Sequence, residues 1–415
     1  MTAAAVVNVA AVQSRTVRVL VAGQILGGLG IGATLSIGAV LAAEIAGSEA
    51  WSGAAATMST LGAALAAIPL ARLANHRGRR IALTVGVLTA ALGAIVTVLA
   101  ASVVSFPLLL IGFALLGTGA AVNLQSRFAA TDVASRQHRG RDLSVVVWSA
   151  TIGAVVGPNL FGPGAVIAGW LGMPPLTGSF AIAVAAQLVT AVVFFVGLRP
   201  DPLVVSRSLP LEPQPASEEG VVRARTLVVF AIAAIGISHA VMVSVVSMTP
   251  VHLMHHGAGL TIVGVTISLH VAGMYALSPV FGWLSDRLGR IPTILVGQAL
   301  FGVALVTVAL GAQSPALVTV GLVFLGLGWS ASTVSGSALI ADLVTGSART
   351  RIQGRTDLVM NLSGAVGAAS AGPVLAVIGY PGLALAAGVL VAGVTTWAVI
   401  VGRPTSAPVE PIRAD

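Results

Sequence analysis

The chain has 415 residues, 56% hydrophobic and 8% charged, with 21 basic against 13 acidic side chains and a formal charge of +8. A mean hydropathy of +1.00 leaves too few polar residues to cover a water-soluble core, which excludes an ordinary globular domain. The absence of cysteine excludes disulfides and thiolate chemistry.

A helix crosses a bilayer with about 20 apolar residues. The sequence offers about twelve such stretches, near 19–43, 52–73, 81–101, 106–130, 143–169, 179–198, 226–249, 261–283, 291–312, 315–341, 357–379 and 381–402. The forty-nine glycines suit close helix contacts in lipid, where small residues let backbones approach. Residues 3–12 have no basic segment before them and read as a cytosolic tail rather than a cleaved leader.

The few polar features can be taken in chain order. Span 1 carries Gln24 and, toward its outer end, Glu44. Span 2 runs into a basic turn, Ala71-Arg72-Leu73-Ala74-Asn75-His76-Arg77-Gly78-Arg79-Arg80. Span 4 holds Asn123 and Arg127, four residues apart and so on one helical face. An ionisable group in a span usually faces a cavity, although an arginine near a helix end can also snorkel to the surface. Span 5 contains Gly153-x-x-x-Gly157-Pro158-x-x-x-Gly162, in which proline removes a backbone donor and bends the helix. Such a bend serves either packing or mechanism.

The only long polar stretch is 199–224, rich in proline, and it reads as a flexible cytosolic linker joining two halves. Beyond it, His239 and His270 lie near the middles of spans 7 and 8, where neighbouring helices could bring them together or simply pack them. Span 7 ends in Met248-Thr249-Pro250-Val251-His252-Leu253-Met254-His255-His256-Gly257 on the outer side. That run suits a polar mouth or, as an alternative, a metal or metal-chelate path. A second basic turn follows span 8, Gly282-Trp283-Leu284-Ser285-Asp286-Arg287-Leu288-Gly289-Arg290. In span 10, Trp329 follows Gly326-Leu327-Gly328 and offers an apolar face to a lipophilic ligand or to a neighbouring helix. Further polar candidates inside spans are Asn159, Gln187, Gln298 and Asn361. Asp132, Asp142, Asp286, Asp342 and Asp357 fall at cytosolic helix ends and read as caps and latch partners.

All 21 basic residues are arginine. Apart from Arg127 they lie before span 1, after spans 2, 4, 6, 8 and 10, and in the tail, so one face carries them all. The positive-inside rule makes that face cytoplasmic and puts both termini there. The positive charge is therefore topological, and no nucleic-acid recognition fold accompanies it. The chain lacks His-Glu-x-x-His, and no carboxylate pair is expected inside the spans, so an intramembrane hydrolase is not supported.

The two basic turns recur about 210 residues apart, and Gly153…Gly157-Pro158 answers Gly367…Gly372-Pro373 at nearly the same offset. The turn from Gly282 to Arg290 resembles the signature loop of the major facilitator superfamily, and the resemblance covers nearly the whole chain. Gly282 suits a close helix contact, Asp286 a helix N-terminus, Gly289 a tight turn, and Arg287 and Arg290 the surface. The first copy departs from the pattern, with Ala71 for the glycine and Asn75 for the aspartate, while Gly78 and Arg79 are kept. The glycine–proline pattern of span 5 is similar to the antiporter motif of this superfamily. An arginine usual in span 4 of that group is replaced by Phe113.

The resemblance implies an all-α integral membrane protein of about twelve transmembrane helices in two pseudo-symmetric six-helix bundles. The expected bounds are 1–198, a linker 199–224, and 225–415. It implies a monomeric secondary transporter of the inner (plasma) membrane, without cofactor and not an enzyme. Its expected work is proton-coupled export of a small, fairly apolar organic compound, with solute uptake or metal transport through His252–His256 as alternatives. The superfamily places spans 1, 4, 7 and 10 around the cavity, which implies Gln24, Asn123, Arg127, His239, His270 and Trp329 as cavity residues. Proton coupling then falls to His239, with Glu44 and Arg127 secondary. By pseudo-symmetry Asp286 is expected near Arg141 and Asn75 near Asp357.

Overall fold

The computed structural model describes residues 8–48, 51, 54–156, 161–209 and 218–403. Gly157, Pro158 and Asn159 lie outside the described residues, as does the middle of the linker. The described secondary structure is almost entirely helical. It comprises α1 (Val9–Ala46), α2 (Ala54–Ser102), α3 (Phe106–Ala129), α4 (Arg139–Val156), α5 (Phe161–Leu171), α6 (Gly178–Gly197) and α7 (Pro202–Ser208). These are followed by α8 (Glu218–His255), α9 (Leu260–Tyr275), α10 (Ser278–Leu288), α11 (Arg290–Leu310), α12 (Pro315–Leu343) and α13 (Ser347–Val401).

Local chemistry sets several boundaries. The Asn8 side chain accepts from Ala11 N–H and starts α1, and Gly47 ends it in the left-handed region at φ 68. Proline in the first turn begins α3, α7, α10 and α12, where a missing N–H costs nothing. Gly78 (φ 86, ψ 170) and Gly289 (φ 99, ψ 165) adopt a backbone essentially reserved for glycine, at the same place in both basic turns. Gly379 (φ 68, ψ −179) similarly interrupts α13.

Among the described residues, eight segments are long and apolar enough to cross a membrane. The segments built on α2 and α13 each contain two spans, divided at Gly78 and Gly379. With α1 and the pair α4–α5, the pattern is the twelve-span layout expected from the sequence. A belt of exposed aliphatic side chains, including Leu65, Val377 and Leu310, surrounds the helices and matches a hydrocarbon solvent rather than water.

Helices before the linker pack mainly on one another, α2 along α3 and α6 and α1 along α4 and α6. Helices after it do the same, α13 along α8 and α12 along α11 and α9. Each half has its own core: Leu20, Leu83 and Phe194 with Ile37, Phe113 and Phe180 on one side, and Phe230, Phe301, Leu322 and Trp329 on the other. Phe113 is thus a core residue. Gly28 and Gly153 let α1 and α4 touch backbone to backbone, since a Cβ on Gly28 would lie 2.8 Å from Gly153 Cα.

The halves meet most extensively at two crossings. At one, α10 lies on α4, and a Cβ on Gly282 would fall 2.4 Å from Gly140 O. At the other, α2 lies on α13, and a Cβ on Gly354 would fall 2.5 Å from Ala71 Cβ. The glycine missing at Ala71 in the first repeat copy is supplied by the partner helix.

Candidate functional site

The seam between the halves is closed at its arginine-rich end by two related networks. In the first, Arg79 is 1% exposed and its Nε donates to Asp132 Oδ2 at 2.8 Å. Its Nη2 donates to Gln353 Oε1 of α13. Arg349, also of α13, donates through Nη2 to Thr131 O at 2.8 Å and lies 3.8 Å from Asp132 Oδ1. In the second, Arg290 Nε donates to Asp342 Oδ2 at 2.9 Å, and Arg139 Nη1 donates to Asp342 Oδ1 at 2.8 Å across the seam. Arg79 therefore points into the protein, and so does Arg290, which was expected at the surface but is held by Asp286 and Asp342. Desolvation is tolerable there because each guanidinium is bonded on more than one side.

Asp286 accepts from Gly140 N–H at 2.9 Å and Arg141 N–H at 2.8 Å, the free amides that open α4. This is the approach expected near Arg141. Arg290 Nη1 also donates to Asp286, which holds the carboxylate in place. Arg287 instead lies on the outside, with its guanidinium 4.7 Å from the Trp283 ring centre.

Asn75 corrects the pseudo-symmetry expectation. It does not meet Asp357 but is gripped by Arg207 of α7, which donates to both the Asn75 carbonyl and its side chain. Asp201, also from the linker, accepts from Arg80 N–H at 2.7 Å and from Leu203 N–H at 2.9 Å. A neutral Asn75 lacks the charge to recruit a distant helix start. A carboxylate from the linker caps the helix after Gly78 in its place.

Asp357 corrects a second expectation. It is not a cap at a helix end but lies in the eleventh position of α13, 0% exposed, and accepts from Arg127 Nη2 at 2.7 Å. Arg127 is 2% exposed and does not snorkel. Its Nε and Nη1, and Asp357 Oδ2, are buried without hydrogen-bond partners among the described residues. Asn361 Nδ2 donates to the Asp357 carbonyl at 2.8 Å. Arg349, Gln353, Asp357 and Asn361 recur every four residues and form one polar stripe on α13. That spacing is visible in the sequence and is the signal that would have found the buried carboxylate.

Deeper in the protein, Trp329 Nε1 donates to His239 Nδ1 at 3.0 Å, and Tyr275 meets the Trp329 ring edge-on at 5.7 Å. Trp329 is 3% exposed and His239 half-buried. Gln24 Nε2 donates to the Asn123 carbonyl at 3.4 Å, joining α1 to α3. Arg127 lies within electrostatic reach of both His239 and Tyr275. His239, Trp329 and Tyr275 thus form one group near Arg127, and Gln24 meets Asn123 one turn of α3 from Arg127.

His270 stands apart. Its Nδ1–H donates to Leu322 O at 2.8 Å, fixing α9 to α12. Leu322 and Trp329 are seven residues apart, about 10 Å along the helix, so α12 holds the two histidines at separate levels. Glu44 lies in the last turn of α1 and is exposed. Gln298 Nε2 donates to Ser238 and Ser332 as an internal tie between α8, α11 and α12. The hydroxyls of Ser330, Thr333, Ser335 and Ser337 on α12 are buried without partners among the described residues, a polar run that the sequence reading passed over.

The histidine run forms a separate cavity of about 320 Å³ with Gln313 and Tyr380. His252 Nε2–H donates to Ala312 O at 2.7 Å and its ring stacks on Tyr380 at 4.1 Å. His256 Nδ1–H donates to His252 O at 2.8 Å. These bonds tie one nitrogen of each ring to the backbone and fix its orientation. Among the described residues no group of three or more His, Cys, Asp or Glu converges on a point. The run reads as a packed, aromatic mouth.

Comparison with known proteins agrees with this architecture. The family description "Major Facilitator Superfamily" matches residues 20–274 and 244–414. An MFS-type transporter of Bacillus subtilis, YdeG, is 37% identical over 383 residues, covering 91% of this chain and 89% of its own. The riboflavin transporter RfnT of Brucella anthropi is 27% identical over 353 residues, covering 83% and 85%. A bacterial homologue of the iron transporter ferroportin superposes with a TM-score of 0.74 at 14% identity, covering 94% of this chain and 99% of that one. The chain belongs to the major facilitator superfamily and is a membrane-spanning secondary transporter, not an enzyme.

Proposed function

We propose that this member of the major facilitator superfamily exports a small, fairly apolar organic compound in exchange for protons, by rocking two halves about a central site. The halves are 1–198 and 225–415, joined by the linker 199–224, and the working unit is a monomer. The arginine-rich end faces the cytoplasm and both termini lie there.

The observation that carries this reading is the make-up of the central region. Trp329, Tyr275 and His239 offer aromatic faces and one ring nitrogen, Gln24 and Asn123 offer neutral polar groups, and the charge of Arg127 is balanced by Asp357. A site of this kind favours a ligand that is largely apolar, with a few hydrogen-bonding groups. The span 5 motif, resembling that of antiporters, supports exchange rather than co-transport.

A second reading is uptake. It takes a candidate cargo from the relative RfnT, a riboflavin transporter, since such a cargo also suits an aromatic wall. Purified protein in liposomes separates the two. Riboflavin and a lipophilic cationic dye serve as tracers, with a pH gradient imposed in either direction. Dye movement against its own gradient, driven by protons moving the opposite way, is expected. Riboflavin moving with the proton flow supports uptake instead, and flux of either tracer indifferent to the pH gradient removes the proton-coupled reading.

A further inference from the structure

We propose that Asp357 is the proton-carrying group of this transporter, and that its protonation unlocks the arginine-rich end of the seam by releasing Arg127. The inference rests on the transport reading above and names the residue that couples protons to the rocking of the halves.

Arg127 belongs to α3 in the first half and Asp357 to α13 in the second, and their single hydrogen bond of 2.7 Å crosses the seam. Opening that seam draws the two apart. An ion pair split inside a low-dielectric region leaves two uncompensated charges, which opposes opening strongly. When the carboxylate takes up one proton it becomes a neutral acid, and Arg127 loses its counter-charge. The attraction that holds the halves together at this point then falls away. On return of the proton to water the carboxylate is restored and the bond can re-form, so one proton is taken and one given back per cycle.

The second argument is chemical vacancy on the pair itself. Asp357 Oδ2 is buried with no hydrogen-bond partner among the described residues, which leaves a lone-pair site for a proton. A purely structural buried carboxylate is ordinarily bonded on both oxygens. Asp132 shows the contrast: its Oδ2 accepts from Arg79 Nε at 2.8 Å and its Oδ1 from Arg79 Nη2 at 3.3 Å.

The third argument is the path. On α13, Gln353 lies one turn from Asp357 toward the arginine-rich end and holds Arg79, while Asn361 lies one turn in the other direction. The stripe therefore leads from the charged network at the seam's end to the central region.

The groups around Asp357 are few. Arg127 faces it from α3 and Arg79 acts on it from α2. From α8, His239 lies in the same region and also feels Arg127. On α13 itself Arg349 and Gln353 lie toward the arginine-rich end, with Asp132 bonded to that network. Arg290 at the start of α11 and Asp342 near the end of α12 are bound in the second network. His239 is a weaker coupling group than expected from the sequence. Its partner Trp329 lies in its own half, so charging it breaks no bond across the seam.

The test uses distance, not cargo. The chain has no cysteine, so Ser135→Cys and Arg351→Cys, both exposed and on opposite halves near the seam, take spin labels uniquely. Pulsed electron resonance of the full-length protein in nanodiscs then reports narrow and wide populations from about pH 5 to 9. In the parent protein the wide-to-narrow ratio is expected to rise on acidification, by up to about tenfold per pH unit, the limit for one proton. Asp357→Asn, equal in size and always neutral, is expected to keep a raised wide population that varies less than about twofold over the range. Asp357→Glu retains a titrating group and is expected to keep the response with a moved midpoint. A pH response surviving in Asp357→Asn, or absent in the parent, overturns the proposal, as does its loss in His239→Gln alone. Because no substrate is used, failure of liposome flux under a pH gradient counts against the transport reading separately.

Discussion

Arg79 and Arg290 each follow the turn glycine of a repeat copy, and each meets an aspartate 53 or 52 residues further on. Equal chemistry at equal positions closes the arginine-rich end of the seam twice over. Removing one partner leaves the other buried and charged, at a cost of about 3–5 kcal/mol. Arg79→Ala is therefore expected to lower the melting midpoint in detergent by several degrees and to raise the wide population in the distance measurement. Arg287→Ala, at an exposed residue whose guanidinium lies over an exposed indole, is expected to stay within about 0.5 kcal/mol of the parent. Both are read from the same melting curves, and equal effects would show that the seam network is not what stabilises the closed state. Deeper in, Trp329→Phe keeps a ring but loses the N–H that meets His239 Nδ1. The loss of one neutral hydrogen bond is expected to destabilise the fold by about 1 kcal/mol. Melting curves of the parent and the variant in detergent check it.

Two elements owe their shape to single glycines. Gly78 and Gly289 hold φ values of 86 and 99 with extended ψ, where an L-residue is strained by about 1–3 kcal/mol. Gly289→Ala is expected to cost that amount. Gly78→Ala is expected to cost more, because its new Cβ would also fall within 2.9 Å of all three atoms of the Asp201 carboxyl group. Thermal denaturation of the two variants side by side tests the ranking. Helix α7 is the other case. Its seven residues could not persist alone. They are held by Asp201 bonding to Arg80, by Arg207 on Asn75, and by burial of Leu203 among Ala74 and Ala82. The linker is thus partly an ordered strap on the first half, where the sequence reading expected a flexible tether.

At the scale of the molecule, the halves touch through small residues and charged networks at one end, a surface suited to parting and re-forming. Each half keeps a separate apolar core, so rocking need not disturb either. Orientation in the bilayer follows from the arginines. A cysteine at exposed Arg225 is expected to react with an impermeant maleimide only in inverted vesicles, and one at exposed Gln313 only in intact cells. Reaction from the opposite sides would invert the topology and with it the assignment of the closed end.

The sequence by itself determined the solvent, the number of spans, the duplication and the two turns, because hydropathy, period and glycine backbone freedom are local properties. It also pointed to Asp286 at the start of α4, since a duplicated motif implies a duplicated contact. Only the tertiary structure decided the charges. Asp357 stands in an α13 turn whose neighbours in sequence look like a helix start, yet it is fully buried against Arg127 of α3. Asn75 looked like a weakened latch, but the replacement carboxylate, Asp201, lies more than a hundred residues away in the linker. The fates of His239, His270 and His252 were likewise undecidable from spacing, because each is fixed by a group on another helix or loop: Trp329, Leu322 and Ala312. A side chain's protonation and partners depend on what folds against it, and that information is distributed over the whole chain.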